Sequence, residues 1–169
     1  MTFQAGSNRH ARGMKAEDLF FETMQRRGCR ITRSTKYEDK FEHTDFHVDG
    51  KRYDVKSVKR VNGVYTDKQI WVEIHGISAP GWLYSKHVTH FAFKKLDNTF
   101  MSISKNDLQK VIAEHYCNLK VTSEMSKISA EPQKYCYSRA ASHDLPAQPK
   151  ERVVLVDSNH IQKYVTILK

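Results

Sequence analysis

The chain has no apolar run near the roughly 18–20 residues a membrane span needs, and no CxxC pair. No membrane partner is therefore expected. The three cysteines, Cys29, Cys117 and Cys136, are odd in number and widely spaced. Free thiols in a reducing, cytoplasmic compartment are the plain expectation, and His115, Cys117 and Cys136 lack zinc-finger spacing. The first fifteen residues carry Arg9, Arg12 and Lys15 without an apolar core, so no secretory signal is expected. GxGxxG, P-loop and GxSxG patterns are all missing. Dinucleotide binding, nucleotide hydrolysis and acyl transfer are left without support, and no nucleotide cofactor is expected.

What remains is a basic, aromatic-rich chain. Its 169 residues include eight Phe and eight Tyr, and 39% are hydrophobic, which suits one globular domain with a real core. Lys and Arg total 28 against 19 acids, a formal net charge of +9 that favours a polyanionic partner. The charge is also blocked. Residues 1–36 are basic, 37–49 turn acidic (Glu38, Asp39, Glu42, Asp45, Asp49), and 51–60 are basic again. Acidic groups between basic flanks suit a site that takes a cation and a phosphate backbone together. Arg9, Arg12, Lys15, Lys51, Arg52, Lys59 and Arg60 are the candidate backbone contacts.

The most informative stretch runs from Thr44 to Lys56. Asp49-Gly50 between two alternating segments is a strong hairpin signal. With a two-residue loop there, Val48 faces Lys51, Phe46 meets Tyr53, and Asp45 falls opposite Asp54. Opposed side chains on one face have Cβ atoms about 4.5–5.5 Å apart, so two carboxylates there repel unless a proton or cation intervenes. Lys56, two residues beyond Asp54, shares its face.

Upstream, residues 11–27 have helical periodicity, with Glu17, Phe20, Phe21 and Met24 on one stripe and Gly28 suited to the C-terminal cap. Glu17 on that stripe needs a partner or a metal, or else lies at its edge and reaches water. Cys29–Lys36 reads as a strand, Tyr37–His43 as a charged loop or strand continuation, and Val61–Lys68 as a turn or flexible loop. Strands are predicted at 69–76, 89–95 and 100–104, with a short helix near 82–86. A helix carrying Leu108, Val111, Ile112 and His115 follows. Residues 120–150 are irregular apart from a short strand at 134–139. The end reads as a strand at 152–156, Ser158 as a cap, and a helical face of Ile161, Tyr164, Val165 and Leu168. The whole predicts a single α/β domain over 1–169: a core at about 11–115, an irregular insertion at about 120–150, and a strand–helix unit at 151–169. A central mixed β-sheet flanked by helices is the expected architecture.

A helical Glu17, a strand ending in Asp45, and a hairpin into Asp54-Val55-Lys56 together resemble the PD-(D/E)XK nuclease superfamily, which includes restriction endonucleases and Holliday junction resolvases. The resemblance covers roughly residues 11–112. It departs from the motif at Thr44, where Pro is named, and in using Asp54 where Glu is commoner. It implies a restriction-endonuclease-like core and a metal-dependent endonuclease that hydrolyses DNA phosphodiester bonds, with structure-selective or junction-resolving cutting among its forms. By the same implication, Asp45, Asp54 and the Val55 carbonyl bind Mg²⁺ or Mn²⁺. Lys56 orients or deprotonates the attacking water, and Glu17 serves a second metal or water. The products carry a 5′-phosphate and a 3′-hydroxyl. Small nucleases of this kind often dimerise, so a homodimer is an expected state.

Gln69 and Glu73, on one face of a predicted strand, are additional site candidates. Several other readings stay open. His43, Asp45 and His47 on one strand face permit a transition-metal site. A nuclease-fold protein that binds DNA in recombination or packaging without cutting fits the charge, and so does a protein acting on RNA.

Overall fold

A computed structural model describes the backbone of residues 5–77, 79–140 and 150–169, and the side chains of these except at 5–9, 139, 140 and 150. The chain contacts fall into two units. One comprises residues up to Val58 with His87–Ser104 and Val165–Lys169; the other comprises Lys59–Lys86 and Lys105–Tyr164.

The first unit opens with α1 (Ala5–Arg26). Gly28, at φ 75°, ends it in a Schellman motif: Cys29 N–H donates to Met24 O at 3.1 Å, and Gly28 N–H donates to Gln25 O at 2.9 Å. The buried stripe of α1 is Ala16, Phe20, Thr23 and Met24, so Glu17 and Phe21 sit at its margin. Short β1 (Ile31–Arg33) precedes α2 (Lys36–Glu42). A helix therefore stands where a loop or strand continuation is predicted from Tyr37 to His43. The reason is a capping box: Thr35 Oγ1 accepts from Glu38 N–H at 3.3 Å, and Glu38 Oε2 accepts from Thr35 N–H at 2.8 Å. His43, left-handed at φ 55°, closes the helix.

The hairpin follows as β2 (Phe46–Val48) and β3 (Lys51–Lys56). The second unit begins with a further hairpin, β4 (Lys59–Val61) and β5 (Val64–Thr66). It occupies the segment predicted as a turn or loop because Asn62 and Gly63, at φ 49° and 80°, make another tight two-residue turn. Next come β6 (Gln69–His75) and a 3-10 turn at Trp82–Tyr84. The first unit then resumes with β7 (His90–Lys94) and β8 (Phe100–Ser104). The rest of the second unit is α3 (Lys105–His115), β9 (Lys120–Thr122), α4 (Met125–Ala130), β10 (Tyr135–Ala140), β11 (Lys150–Asp157) and α5 (Ser158–Ile161). The predicted irregularity at 120–150 is thus ordered as β9, α4 and β10, while residues 141–149, including Pro146 and Pro149, lie outside the described residues.

The C-terminal helical face does not form. Asp157, not Ser158, caps α5, accepting from Asn159 N–H at 2.8 Å. After a 3-10 turn at Gln162–Tyr164 the chain becomes β12 (Thr166–Leu168). Thr and Ile suit a strand, and the free edge of β8 supplies the ladder.

The fold is mixed α/β, and its sheets are mixed as expected, but the strands do not form one central sheet. The first unit holds a six-stranded sheet, β1-β2-β3-β7-β8-β12, in which only the β3–β7 pair is parallel. The second holds a four-stranded sheet, β6-β11-β10-β9, and the β4–β5 ribbon. In the first unit α1 lies on β1 and β3. Fully buried Phe20 contacts the rings of Phe46, Tyr53 and Phe100 at 5.2–5.5 Å between centroids. Val48, Val55, Ala92 and Leu168 complete that core. In the second unit α4 plugs its sheet with Ile128, packed with Val61 and Leu155. Among the described residues no helix is long and apolar enough to cross a membrane. The three cysteines are free thiols.

Candidate active site

The hairpin turn forms as the sequence predicts. Asp49 and Gly50 take φ 47° and 81°, the double left-handed geometry of a tight turn. The register is Val48 with Lys51, His47 with Arg52, and Phe46 with Tyr53. Asp49 ties the turn to β1, its Oδ1 accepting from Arg30 N–H at 3.0 Å.

At the next step the ladder slips. Asp45 N–H donates to Tyr53 O at 2.8 Å, although Tyr53 is already the partner of Phe46. Two residues of one strand thus face one of the other, which is the pattern of a β-bulge, and bulges re-aim side chains. Asp45 therefore does not sit opposite Asp54 in simple register. In an uninterrupted ladder Val55 N–H would go to the Thr44 carbonyl. Here it goes to Oδ2 of Asp45, at 2.6 Å. Ser34 holds the displaced backbone: its N–H donates to Asp45 O at 2.9 Å, and its hydroxyl is shared between the Thr44 and Asp45 carbonyls. Thr44 is fully buried, and its Oγ1 has no hydrogen-bond partner.

The slip brings the acids together by another route. Asp54 is buried on β3, with Lys56 Nζ 2.8 Å from its Oδ2. That oxygen has an ion-pair partner but no hydrogen bond of good geometry. Burial, then the Asp54 charge, pushes the Asp45 carboxyl up to about 8, against the Val55 hydrogen bond and Lys56, which pull it down. Glu17 also raises it. Glu17 itself is pushed up, first by burial and then by Asp39 of α2, with Arg33 opposing and Asp54 contributing. Arg33 Nη1 stands 3.8 Å from Glu17, while its Nη2 pairs with Asp18 and its guanidinium lies over the rings of Phe21 and Phe46.

Glu17 and Asp54 therefore act on each other's charge and on Asp45, and Lys56 acts on Asp45 and Asp54. Of the basic candidates, Arg12, Lys15 and Lys51 are exposed on α1 and the hairpin. Arg9 lies in α1 with its side chain outside the described residues. Arg52 is committed elsewhere, bound to Glu42 and, at 3.4 Å, to Glu38. Lys59 and Arg60 belong to the second unit, where Arg60 stacks on Tyr65 at 4.5 Å. Gln69 and Glu73 belong there too, and Gln69 Nε2 donates to Ser129 O at 3.4 Å. His47 Nε2 is 3.0 Å from Glu38 Oε1, and His43 is the cap of α2. The shared strand face that motivates a transition-metal site at His43, Asp45 and His47 is thus broken up.

Sequence reasoning overlooks Ser34, Arg33 and Asp39. The signal for Asp39 is present as Thr35-x-x-Glu38, which announces the helix that carries it.

The donor set fits a hard divalent cation. Half-buried Asp45 and buried Asp54 repel each other, and the Asp54 Oδ2 lacks a hydrogen bond. Among the described residues, no three His, Cys, Asp or Glu side chains stand close enough to hold one ion between them. Comparison with family models, curated proteins and solved structures returned no match for the chain.

Proposed function

We infer that the protein is a metal-dependent nuclease that hydrolyses DNA phosphodiester bonds at Asp45, Asp54 and Lys56. The observation that carries this reading is the hydrogen bond from Val55 N–H to Asp45 Oδ2. It ties one acid to the main chain between the other acid and the lysine. A structural surface pair of acids needs no such arrangement, and burying it costs stability. A restriction-endonuclease-like core belongs to the same inference. Its support is α1 packed on the β1-β2-β3 meander with β7 parallel beside β3.

Asp45, Asp54 and the Val55 carbonyl would hold Mg²⁺ or Mn²⁺. Bound there, such an ion supplies Lewis-acid polarisation of the phosphate and makes water a better nucleophile at neutral pH. The chain's residues do the rest. Lys56, anchored beside Asp54, places a positive charge where a phosphate oxygen gains negative charge, and it orients the attacking water. Glu17, half-buried and braced by Arg33, positions a second water or ion. Arg12, Lys15 and Lys51 hold the DNA backbone.

The test is nicking of supercoiled DNA with Mg²⁺ or Mn²⁺. Wild type should nick, EDTA should abolish nicking, and Lys56→Ala should reduce it at least about a hundredfold. Equal nicking by wild type and Lys56→Ala, or indifference to EDTA, overturns the inference. Salt-dependent DNA binding with no cutting at any metal would favour a binding protein instead.

A further inference from the structure

Helix α2 is oriented the wrong way round for an ordinary surface helix. Two of its three acids turn toward the protein, while Asp39 stays exposed: Glu38 meets His47 and Arg52, and Glu42 meets Arg52 and, at 3.6 Å, His87. Its aromatics turn toward solvent. Tyr37 is 64% exposed and Phe41 60% exposed, with ring centroids 5.0 Å apart. No residue of α2 is buried. The helix is nevertheless pinned at both ends, by the Thr35–Glu38 capping box and the left-handed His43, so the two rings are held in place. Lysines flank them. Lys36 and Lys40 are exposed, and Lys40 Nζ lies 5.1 Å over the Phe41 ring. Two displayed rings interleaved with lysines have the chemistry that binds single-stranded nucleic acid, where bases stack on aromatic faces and cations track the phosphates.

Resting on the nuclease reading above, we propose that Tyr37 and Phe41 form a stacking platform for unpaired bases beside the cleavage site. The preferred substrate is then DNA with single-stranded nucleotides adjoining a duplex. The placement fits. Phe41 and Asp45 are four residues apart, so their Cα atoms lie within about 14 Å. At about 3.4 Å per stacked nucleotide, that spans roughly four nucleotides. Asp39, on the same helix, acts on Glu17, so α2 borders the acidic group as well. A protein partner explains the exposed rings less well, because the lysines among them suit a polyanion.

The experiment measures binding in EDTA, so that it does not depend on cutting. Labelled blunt duplex is compared with the same duplex carrying a single-stranded tail. Wild type should bind the tailed DNA at least about tenfold more tightly. Tyr37→Ala/Phe41→Ala should lose about tenfold or more on tailed DNA and stay within about twofold on blunt duplex. Tyr37→Trp/Phe41→Trp should retain tail binding, with its added fluorescence quenched by the tail. That pair also decides the matter if the alanine variant folds poorly. Equal binding of both DNAs by wild type, equal loss on both by the alanine variant, or an unquenched tryptophan variant overturns the platform. A change in self-association with no change in DNA binding overturns it in favour of a protein contact. Aromatic-dependent tail binding without cleavage under any metal would leave the platform standing and remove the nuclease reading. Cleavage of the tailed DNA untouched by the alanine pair would do the reverse.

Discussion

The carboxylate of Asp45 receives the backbone N–H of Val55 at 2.6 Å, a hydrogen bond that a regular ladder would have given to a main-chain carbonyl. The side chain thus does a structural task and holds its carboxyl group next to Asp54. Asp45→Asn separates the two roles, since its amide oxygen still accepts from Val55. The variant should be more stable than wild type in EDTA at pH 8, by about 1–3 kcal/mol, because an imperfectly compensated buried charge is removed. Nicking should fall by at least about a hundredfold. Urea denaturation alongside a nicking assay checks both; loss of stability in EDTA would contradict the electrostatic account.

Stability without metal should fall as pH rises. Burial and the Asp54 charge push the Asp45 carboxyl up to about 8 in the folded chain, far above its unfolded value, and Glu17 is displaced the same way. A raised carboxyl pKa contributes stability that is complete below the unfolded pKa, about 4, and is lost as pH climbs through the folded pKa. Thermal midpoints in EDTA should therefore decline between about pH 4 and 8. Mg²⁺ or Mn²⁺ competes with the proton, so its stabilising increment should grow over the same window. An increment independent of pH would contradict the site.

Lys56→Met removes the cation paired with Asp54 Oδ2 and keeps the length of the side chain. Lys56 still touches solvent, so the loss should be about 1–2 kcal/mol, below the usual cost of breaking a fully buried pair. Denaturant titration at pH 7 reads this directly. A stabilised variant would mean the ammonium group is not compensating that carboxylate.

Thr44→Val should raise stability by roughly 0.5–1.5 kcal/mol. Thr44 is fully buried and its hydroxyl has no hydrogen-bond partner, so an isosteric methyl removes a desolvation cost at little change in shape. A lower denaturation midpoint would show that Oγ1 finds a partner in solution.

Phe20→Ala should cost about 3–5 kcal/mol, since the ring joins α1 to Phe46, Tyr53 and Phe100. A loss below about 1 kcal/mol would mean that this core is not what holds α1 to its sheet.

The tight turns were readable because Asp49-Gly50 and Asn62-Gly63 demand left-handed backbone that few other pairs adopt. Asn62-Gly63 is flanked on both sides by strands of three residues, too short for alternation to mark a hairpin. The nearness of Asp45, Asp54 and Lys56 follows from their spacing around the turn, but the bulge does not. It depends on Ser34 gripping two carbonyls ten and eleven residues away, a tertiary contact with no local signature. Leu168 misled for a related reason. Its spacing from Ile161, Tyr164 and Val165 fits a helix, yet the unpaired edge of β8 offered three residues a ladder. Helix α2, by contrast, has a local signature in the sequence, the Thr35-x-x-Glu38 capping box.

The strand β12 has a consequence for how the protein is made. The six-stranded sheet draws on three separate stretches of chain, and its last edge is supplied by residues 166–168. A chain emerging from the ribosome in order cannot close that edge until the sixty intervening residues 105–164 have been synthesised. Until then β8 presents bare backbone groups of the kind that recruit strands from other molecules.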